Sequence, residues 1–383
     1  MATTAKKKVV ARRAIADKPA VARRATKASP TTGSTRVRVV IEDDGGEELA
    51  HGGGVASDYF AKVDKEGVDF ISSGCVGLDA ALGGGWPSGR VVNIVGDRSA
   101  GKTLLAIEAC ANFHRKFPVC HIRYAEAEAA FDVLYAEALG MPVDAVEYDS
   151  GRPLRTIEDW QKDLTEVLKA NKGKPILYVL DSLDALSDEA EAERDIDKAS
   201  FGASKAKKMG ELFRRMVAEI EDANCTLIVI SQLRDKIGVT FGEKQTRSGG
   251  RALDFYATHI VWLSEIGKIK KTIDKVERVV GTNVKARIKK NKVGLPFREF
   301  AYPIIFGYGI DDLTSSVEWL LEVGCDDRLK EVGMSAAGYK VRIGNLRNKG
   351  GAEVKDIREK LNVIVRDEWQ RIEMKFLPRS RKY

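Results

Sequence analysis

The run Gly96-Asp97-Arg98-Ser99-Ala100-Gly101-Lys102-Thr103 constrains this chain more than any other feature. It has the spacing G-x-x-x-x-G-K-[ST], follows the apolar run VVNIV (91–95) and opens a helical pattern that reaches about Lys116. A strand feeding a glycine-rich loop that feeds a helix is the context in which this spacing means a phosphate site. The glycines let backbone N–H groups wrap phosphate oxygens, and the helix N-terminus adds partial positive charge. Gly96 to Leu104 is therefore the expected nucleotide-binding segment. Lys102 would reach the β- and γ-phosphates, and Thr103 would hold Mg²⁺ through its hydroxyl.

Such a site needs a second carboxylate at a strand end to organise the metal. Asp181 closes the apolar run ILYVLD (176–181) and is followed by Ser182. Hydrolysis also needs a group that orients or deprotonates water. The strand ending Tyr124-Ala125-Glu126-Ala127-Glu128 offers two carboxylates. In an extended chain the two are expected to point to opposite faces, so that one could face the nucleotide while the other does not, and spacing does not choose between them.

Around this site, apolar runs alternate with helical patterns. VCHIRYA (119–125), ILYVLD and TLIVISQ (226–232) are predicted strands, with helices near 131–139 and 203–223. Short continuous apolar strands alternating with helices predict an α/β fold, a mostly parallel twisted sheet covered on both faces. HIVWLS (259–264), the segment near 284–290 and 300–306 are expected to extend it as antiparallel strands at one side. Residues 58–324 are the expected core. Residues 325–383 are short-patterned and charged, and read as a small helical appendage.

The first forty residues are different in kind. They carry eleven Lys or Arg against one acid, Asp17, and no aromatic residue precedes Tyr59. Such a segment buries too little apolar surface to offset its ordering entropy, so it is expected to be disordered. With the acidic and glycine-rich stretch 41–54 it forms an expected tail and linker, 1–57. The net charge of +7 names no partner by itself. No apolar run is long enough for a membrane span. No apolar signal core opens the chain, and the five scattered cysteines have no C-x-x-C spacing, so a reducing cytoplasm is expected.

The same residues resemble the RecA family of recombinases, including phage members of the UvsX kind. The resemblance runs from about Phe70 to Gly324. It is carried by ISSGCVGLDAALGGGWPSGR (71–90), the phosphate loop, YAEAEAAFDVLYAEALG (124–140), VLDSLDAL (179–186), SQLRDKIGVTFGEKQTRSGGRALDFYA (231–257), IKKNKVGLPF (288–297) and FGYGI (306–310). It implies a P-loop ATPase core of the RecA type that uses ATP and Mg²⁺. Glu128 matches the family's catalytic glutamate, Asp132 and Tyr135 its adenine contacts, and Gln232 the glutamine that senses the γ-phosphate. Lys290 and Lys292 match paired lysines that reach the neighbouring protomer's ATP. Without the resemblance, K-K-N-K is only a basic turn.

The segment Arg234–Gly250 is too long, glycine-rich and charged for a tight connection. Arg234, Lys236, Lys244 and Arg247 suit backbone phosphates, and Ile237, Val239 and Phe241 suit stacking on or wedging between bases. It matches the family's second DNA-binding loop, with Ser248, Gly249 and Gly250 at its end. The first such loop falls at about 194–202, with Phe201 as a wedge. The following helix offers Lys205, Lys207, Lys208, Arg214 and Arg215 to phosphates. The basic tail would add affinity for nucleic acid without sequence preference; an organelle transit peptide is its minor alternative. Two positions depart from cellular relatives: Asp254, where a basic residue is common, and Ile260, where a polar or basic one is expected.

The resemblance implies an ATP-dependent recombinase of the bacterial or phage-infected cytoplasm. It would form a homo-oligomeric helical filament on single-stranded DNA and pair it with homologous duplex DNA. The alternatives are a ring-forming, helicase-like ATPase of the same fold and a nucleotide-stabilised DNA-coating protein.

Overall fold

The computed structural model describes residues 68–128, 131–149, 153–192, 203–235, 245–247 and 250–376. The basic tail and linker, the expected first DNA-facing loop with Phe201, and Lys236, Ile237, Val239, Phe241, Lys244, Ser248 and Gly249 lie outside the described residues.

In chain order the strands are β1 (Phe70–Ile71), β2 (Trp86–Pro87), β3 (Val91–Gly96), β4 (His121–Glu126), β5 (Val146–Glu147), β6 (Ile176–Asp181), β7 (Cys225–Asp235), β8 (Gln245–Arg247), β9 (His259–Ile273), β10 (Val276–Asn291), β11 (Glu299–Ile305) and β12 (Gly309–Ile310). The principal helices are α1 (Val76–Leu82), α2 (Lys102–Lys116), α3 (Val133–Ala138), α4 (Ile157–Ala170), α5 (Ala203–Asp222), α6 (Ala252–Tyr256), α7 (Asp312–Glu322), α8 (Tyr339–Lys349) and α9 (Ala352–Glu373).

The main sheet runs β12-β11-β10-β9-β3-β7-β6-β4-β5, with β8 pairing off β7. Strands β9, β3, β7, β6, β4 and β5 are parallel neighbours. From β10 to β12 the pairing is antiparallel. The antiparallel extension at one side was expected to start with 259–264, but β9 lies parallel to β3 and only β10 turns back on it.

The phosphate loop leaves the centre of this sheet. Alternation along its strands feeds two cores. Val92, Ile94, Leu177, Val179, Ile228 and Ile230 pack with α1 and α2 on one face. Val91, Val95, Ile176, Tyr178, Leu180, Leu227 and Val229 pack with α4 and α5 on the other. Because both faces are covered, these strands read as continuous apolar runs.

Helix α4 falls in a stretch for which no element was expected. Thr156 accepts from the N–H of Asp159, and Asp159 accepts from the N–H of Thr156, a capping box. Ile157, Trp160, Leu164 and Leu168 then form its buried face. The C-terminal residues are less fragmentary than their mixed charge suggested. Helices α7 to α9 bury a third cluster around Leu320, Leu346, Leu361 and Ile364.

Candidate nucleotide site and DNA-facing surface

Strand β3 is buried along its whole length between β7 and β9. Its last residue, Gly96, has no room for a side chain: a Cβ there would sit 2.9 Å from the carbonyl oxygen of Leu263. Asp97, Arg98 and Ser99 follow on the surface, and Ala100 turns inward. Gly101 has φ +83°, and a Cβ on it would lie 2.6 Å from Cδ1 of Ile304. Helix α2 then opens at Lys102, with its first N–H groups aimed at the loop. Lys102 Nζ donates to the carbonyl of Asp97 at 2.7 Å and so spans the loop. Burial lowers its pKa, against the opposing pull of Asp181, Glu128, Asp184 and Asp97. A glycine-lined loop with a cation across it is the shape and charge that a polyphosphate requires.

Asp181 ends β6 beside this loop. Its Oδ2 accepts from the hydroxyl of Thr103 at 2.8 Å and from the buried hydroxyl of Tyr124 at 2.8 Å. Burial raises the carboxyl pKa, while those two donors pull it back down. A hydroxyl and a carboxylate in contact are the donor set that suits Mg²⁺. Tyr124 was not anticipated as part of the site. It sits on β4, next to β6, where strand register sets Tyr124 against Val179 and Glu126 against Asp181.

The two candidate carboxylates separate for a reason other than strand alternation. Residues two apart share a strand face, but β4 ends at Glu126 and the chain turns. The Oε1 of Glu126 accepts the N–H of Glu128 at 3.0 Å. The Glu128 carboxylate itself accepts from the hydroxyl of Ser182 and from Nε2 of Gln232, the latter at 3.0 Å. Thus Lys102, Thr103, Asp181, Ser182, Glu128 and Gln232 form one neighbourhood drawn from β4, β6, β7 and α2.

A cleft of 230 Å³ adjoins the loop, lined by Ser99, Gly101, Lys102, Thr103, Leu104, Tyr135, Thr282, Ile304 and Phe306. Tyr135 lines it from α3, and Asp132 caps that helix by accepting the N–H of Tyr135 at 3.0 Å. Thr282, Ile304 and Phe306 come from β10 and from β11 and its end. Their place in the cleft has no local signature in the sequence, because the hairpin pairing brings them there.

Of the described cations on α5, Lys207, Arg214 and Arg215 are exposed, Arg215 in a surface pair with Glu211 one turn away. Two others expected to meet phosphates are engaged within the chain: Lys205 donates to the carbonyls of Leu183 and Leu186, and Lys208 lies 3.0 Å from Glu158. The two ends of the second DNA-facing segment are tied together where β7 and β8 pair, with Arg234 opposite Thr246 and Leu233 opposite Arg247. Arg234 is exposed but its Nη2 lies 3.1 Å from the buried carboxylate of Asp184, and Gly250, with φ +64°, passes so close to Ala206 of α5 that a Cβ would meet it at 2.7 Å.

Lys290 and Lys292 stand apart from the nucleotide cluster. Lys290 donates to the carbonyls of Asp254 and Phe255, and Lys292 to that of Phe255 at 3.2 Å, so both sit at the C-terminal end of α6. Burial, and then the charge of Lys292, lowers the Lys290 pKa to about 8. The two departures also find local reasons. Asp254 pairs with Arg247 at 2.5 Å, and Ile260 is buried in the second core.

A parallel sheet, a glycine loop at its centre and a hydroxyl–carboxylate pair beside it define a P-loop protein. Residues 50–311 match the family model of the RecA N-terminal domain. The chain is similar to Protein RecA of Nostoc punctiforme, 39% identical over 67% of this chain and 68% of that protein. It is similar to Protein RecA of Teredinibacter turnerae, 34% identical over 69% and 74%, and of a Wolbachia species, 34% identical over 78% and 80%. The chain belongs to the RecA family of recombinases. Among the described residues no helix is long and apolar enough to cross a membrane.

Proposed function

We propose that this protein is an ATP-dependent homologous recombinase of the cytoplasm. It forms helical filaments on single-stranded DNA, pairs that strand with homologous duplex and hydrolyses ATP under stimulation by DNA. One observation carries the reading. Gln232, on the strand that leads to the DNA-facing segment, is hydrogen-bonded to Glu128 beside the Asp181–Ser182 strand end. Occupancy of the nucleotide site and the position of that segment are then linked through a single amide.

The roles follow from chemistry. Backbone N–H groups from Asp97 to Leu104, with Lys102, bind the phosphates, and Asp132 and Tyr135 hold the base. Thr103 and Asp181 hold Mg²⁺, which when bound neutralises charge between phosphate oxygens. Glu128 takes a proton from water held in line with the γ-phosphate, and Ser182 fixes the orientation of its carboxylate. Gln232 exchanges Glu128 for the γ-phosphate, to which its amide can donate. Lys290 and Lys292 supply positive charge to the neighbouring protomer's nucleotide, so hydrolysis requires assembly. Arg234, Arg247, Lys207, Arg214 and Lys236 meet DNA phosphates. Phe201, Ile237, Val239 and Phe241 meet bases, and Ser248, Gly249 and Gly250 let the loop end approach the strand.

The test is ATP hydrolysis with and without single-stranded DNA, alongside strand exchange between a circular single strand and a homologous linear duplex. Strong stimulation and joint-molecule formation, both lost in Lys102→Ala, are expected. Unwinding of a forked duplex would favour a ring helicase. Tail-dependent binding with little turnover would favour a coating protein.

A further inference from the structure

The turn that leaves the nucleotide site carries a carboxylate that the roles above do not use. Asp184 lies in the 3-10 turn Leu183–Ala185, directly after Asp181–Ser182. Its side chain is 6% exposed. Oδ2 accepts the backbone N–H of Gln232 at 2.6 Å. Oδ1 lies 3.1 Å from Nη2 of Arg234, off the axis of a hydrogen bond. One buried carboxylate therefore faces both the residue that reaches Glu128 and the cation next along the same strand.

The two partners differ in a way that matters. The N–H of Gln232 is fixed in the sheet, whereas the Arg234 side chain is 59% exposed and free to turn outward. A buried carboxylate needs compensation, and here one oxygen meets the strand N–H while the other lies beside a surface cation, with the charges of Lys205 and Lys102 near enough to act on it as well. A DNA phosphate offers the same guanidinium a better aligned, bidentate partner. The turn is also fastened to the helix that follows the first DNA-facing segment, because Lys205 donates to Leu183 O at 2.9 Å and to Leu186 O. The turn thus touches β7 at the backbone of Gln232 and α5 at Lys205, the two elements next to the expected DNA-facing segments.

We propose that Asp184 is a positioning residue, a latch that holds Arg234 in the absence of DNA and nucleotide and yields it to a backbone phosphate when Gln232 turns toward the γ-phosphate. The proposal rests on the recombinase reading above. Its consequence is quantitative: a contact made in one state only shifts the balance by its difference between states. Asp184 lowers affinity for DNA in the nucleotide-free state and little in the ATP state.

Binding of a fluorescent oligothymidylate to the full-length chain tests this, with no nucleotide and with a slowly hydrolysed ATP analogue. Asp184→Asn keeps an acceptor for the Gln232 N–H and removes the charge. It is expected to tighten nucleotide-free binding on the order of fivefold and to change analogue-state binding less, so the ratio between states shrinks. The gain should vanish in Asp184→Asn/Arg234→Gln. A carboxylate that only supports the fold would lower thermal stability and leave the ratio alone. An unchanged or larger ratio, or a gain that survives Arg234→Gln, overturns the latch. Should Asp184→Asn fail to fold, Arg234→Gln alone decides: the latch predicts a greater loss with the analogue than without it, and equal losses overturn it. A wild-type chain that binds equally with and without nucleotide would instead overturn the recombinase reading, and the latch with it.

Discussion

The side-chain amide of Gln232 donates to the carboxylate of Glu128 at 3.0 Å across 104 residues of sequence. This amide and the hydroxyl of Ser182 both meet the same oxygen of Glu128, Oε1, so the contact uses one oxygen of the carboxylate. On the recombinase reading, removal of the amide should leave Glu128 able to take a proton from water and cut the proposed link to DNA. Gln232→Ala is expected to keep basal hydrolysis within about threefold and to lose stimulation by single-stranded DNA by about tenfold or more, the worth of a hydrogen bond to a charged group. Steady-state hydrolysis with and without DNA measures both. Glu128→Ala should instead lose about 100-fold or more of hydrolysis in either condition.

Tyr124 and Thr103 share one oxygen of Asp181. The carboxyl is raised by burial, and these donors hold it down. Tyr124→Phe removes one donor, so the pKa rises further. Only the ionised form holds a metal, so the acid limb of the kcat profile should move to higher pH, and the Mg²⁺ concentration for half-maximal rate should increase. Loss of one hydrogen bond to a buried carboxylate costs about 1–3 kcal/mol. A pH–rate series at several Mg²⁺ concentrations separates this from simple loss of fold, which would lower the rate at every pH.

Much of this site was legible in the sequence, and what was not has physical causes. Lys102, Thr103 and Asp181 are marked locally, because a glycine loop and a strand-ending acid each carry their own signature. β3 and β6 are buried along their whole length, which makes them continuous apolar runs. The choice of Glu128 over Glu126 came only through the resemblance to the RecA family. Tyr124 and Asp184 had no local signal, since their contacts span 57 and 48 residues. The far half of the β9–β10 hairpin was invisible for another reason. Its side chains from Lys270 to Val279 are exposed, so no apolar face marks it. It turns at Asp274-Lys275, both at positive φ (50° and 66°), without the glycine that normally announces such a turn.

If Lys290 reaches a neighbouring protomer's phosphate as proposed, assembly should be sensitive to pH. In the isolated protomer burial and Lys292 lower its pKa to about 8. Contact with a neighbour's phosphate favours the charged form and raises the pKa. Assembly then takes up a proton once the pH exceeds the lower value, so it is complete below about 8 and weakens above it, by at most about tenfold per pH unit for one such lysine. Sedimentation of ATP-analogue complexes from pH 7 to 10 should show this decline, and Lys290→Arg, which stays charged throughout, should flatten it.

Gly101 offers a test that separates backbone from space. Its φ of +83° costs any side chain roughly 1–2 kcal/mol, and a Cβ would also strike Ile304 Cδ1 at 2.6 Å. Ile304 lines the cleft beside the loop and meets the methyl with the far end of its side chain, so the methyl is admitted by rotation of Ile304 into the cleft or by a shift of the loop N–H groups. Gly101→Ala is expected to weaken binding of a fluorescent ATP analogue by about tenfold or more. Ile304→Val removes the atom that clashes but leaves the dihedral strain. Combined with Gly101→Ala it should recover part of the lost affinity, and recovery near wild type would mean that crowding, rather than the left-handed backbone, is what reserves this position for glycine.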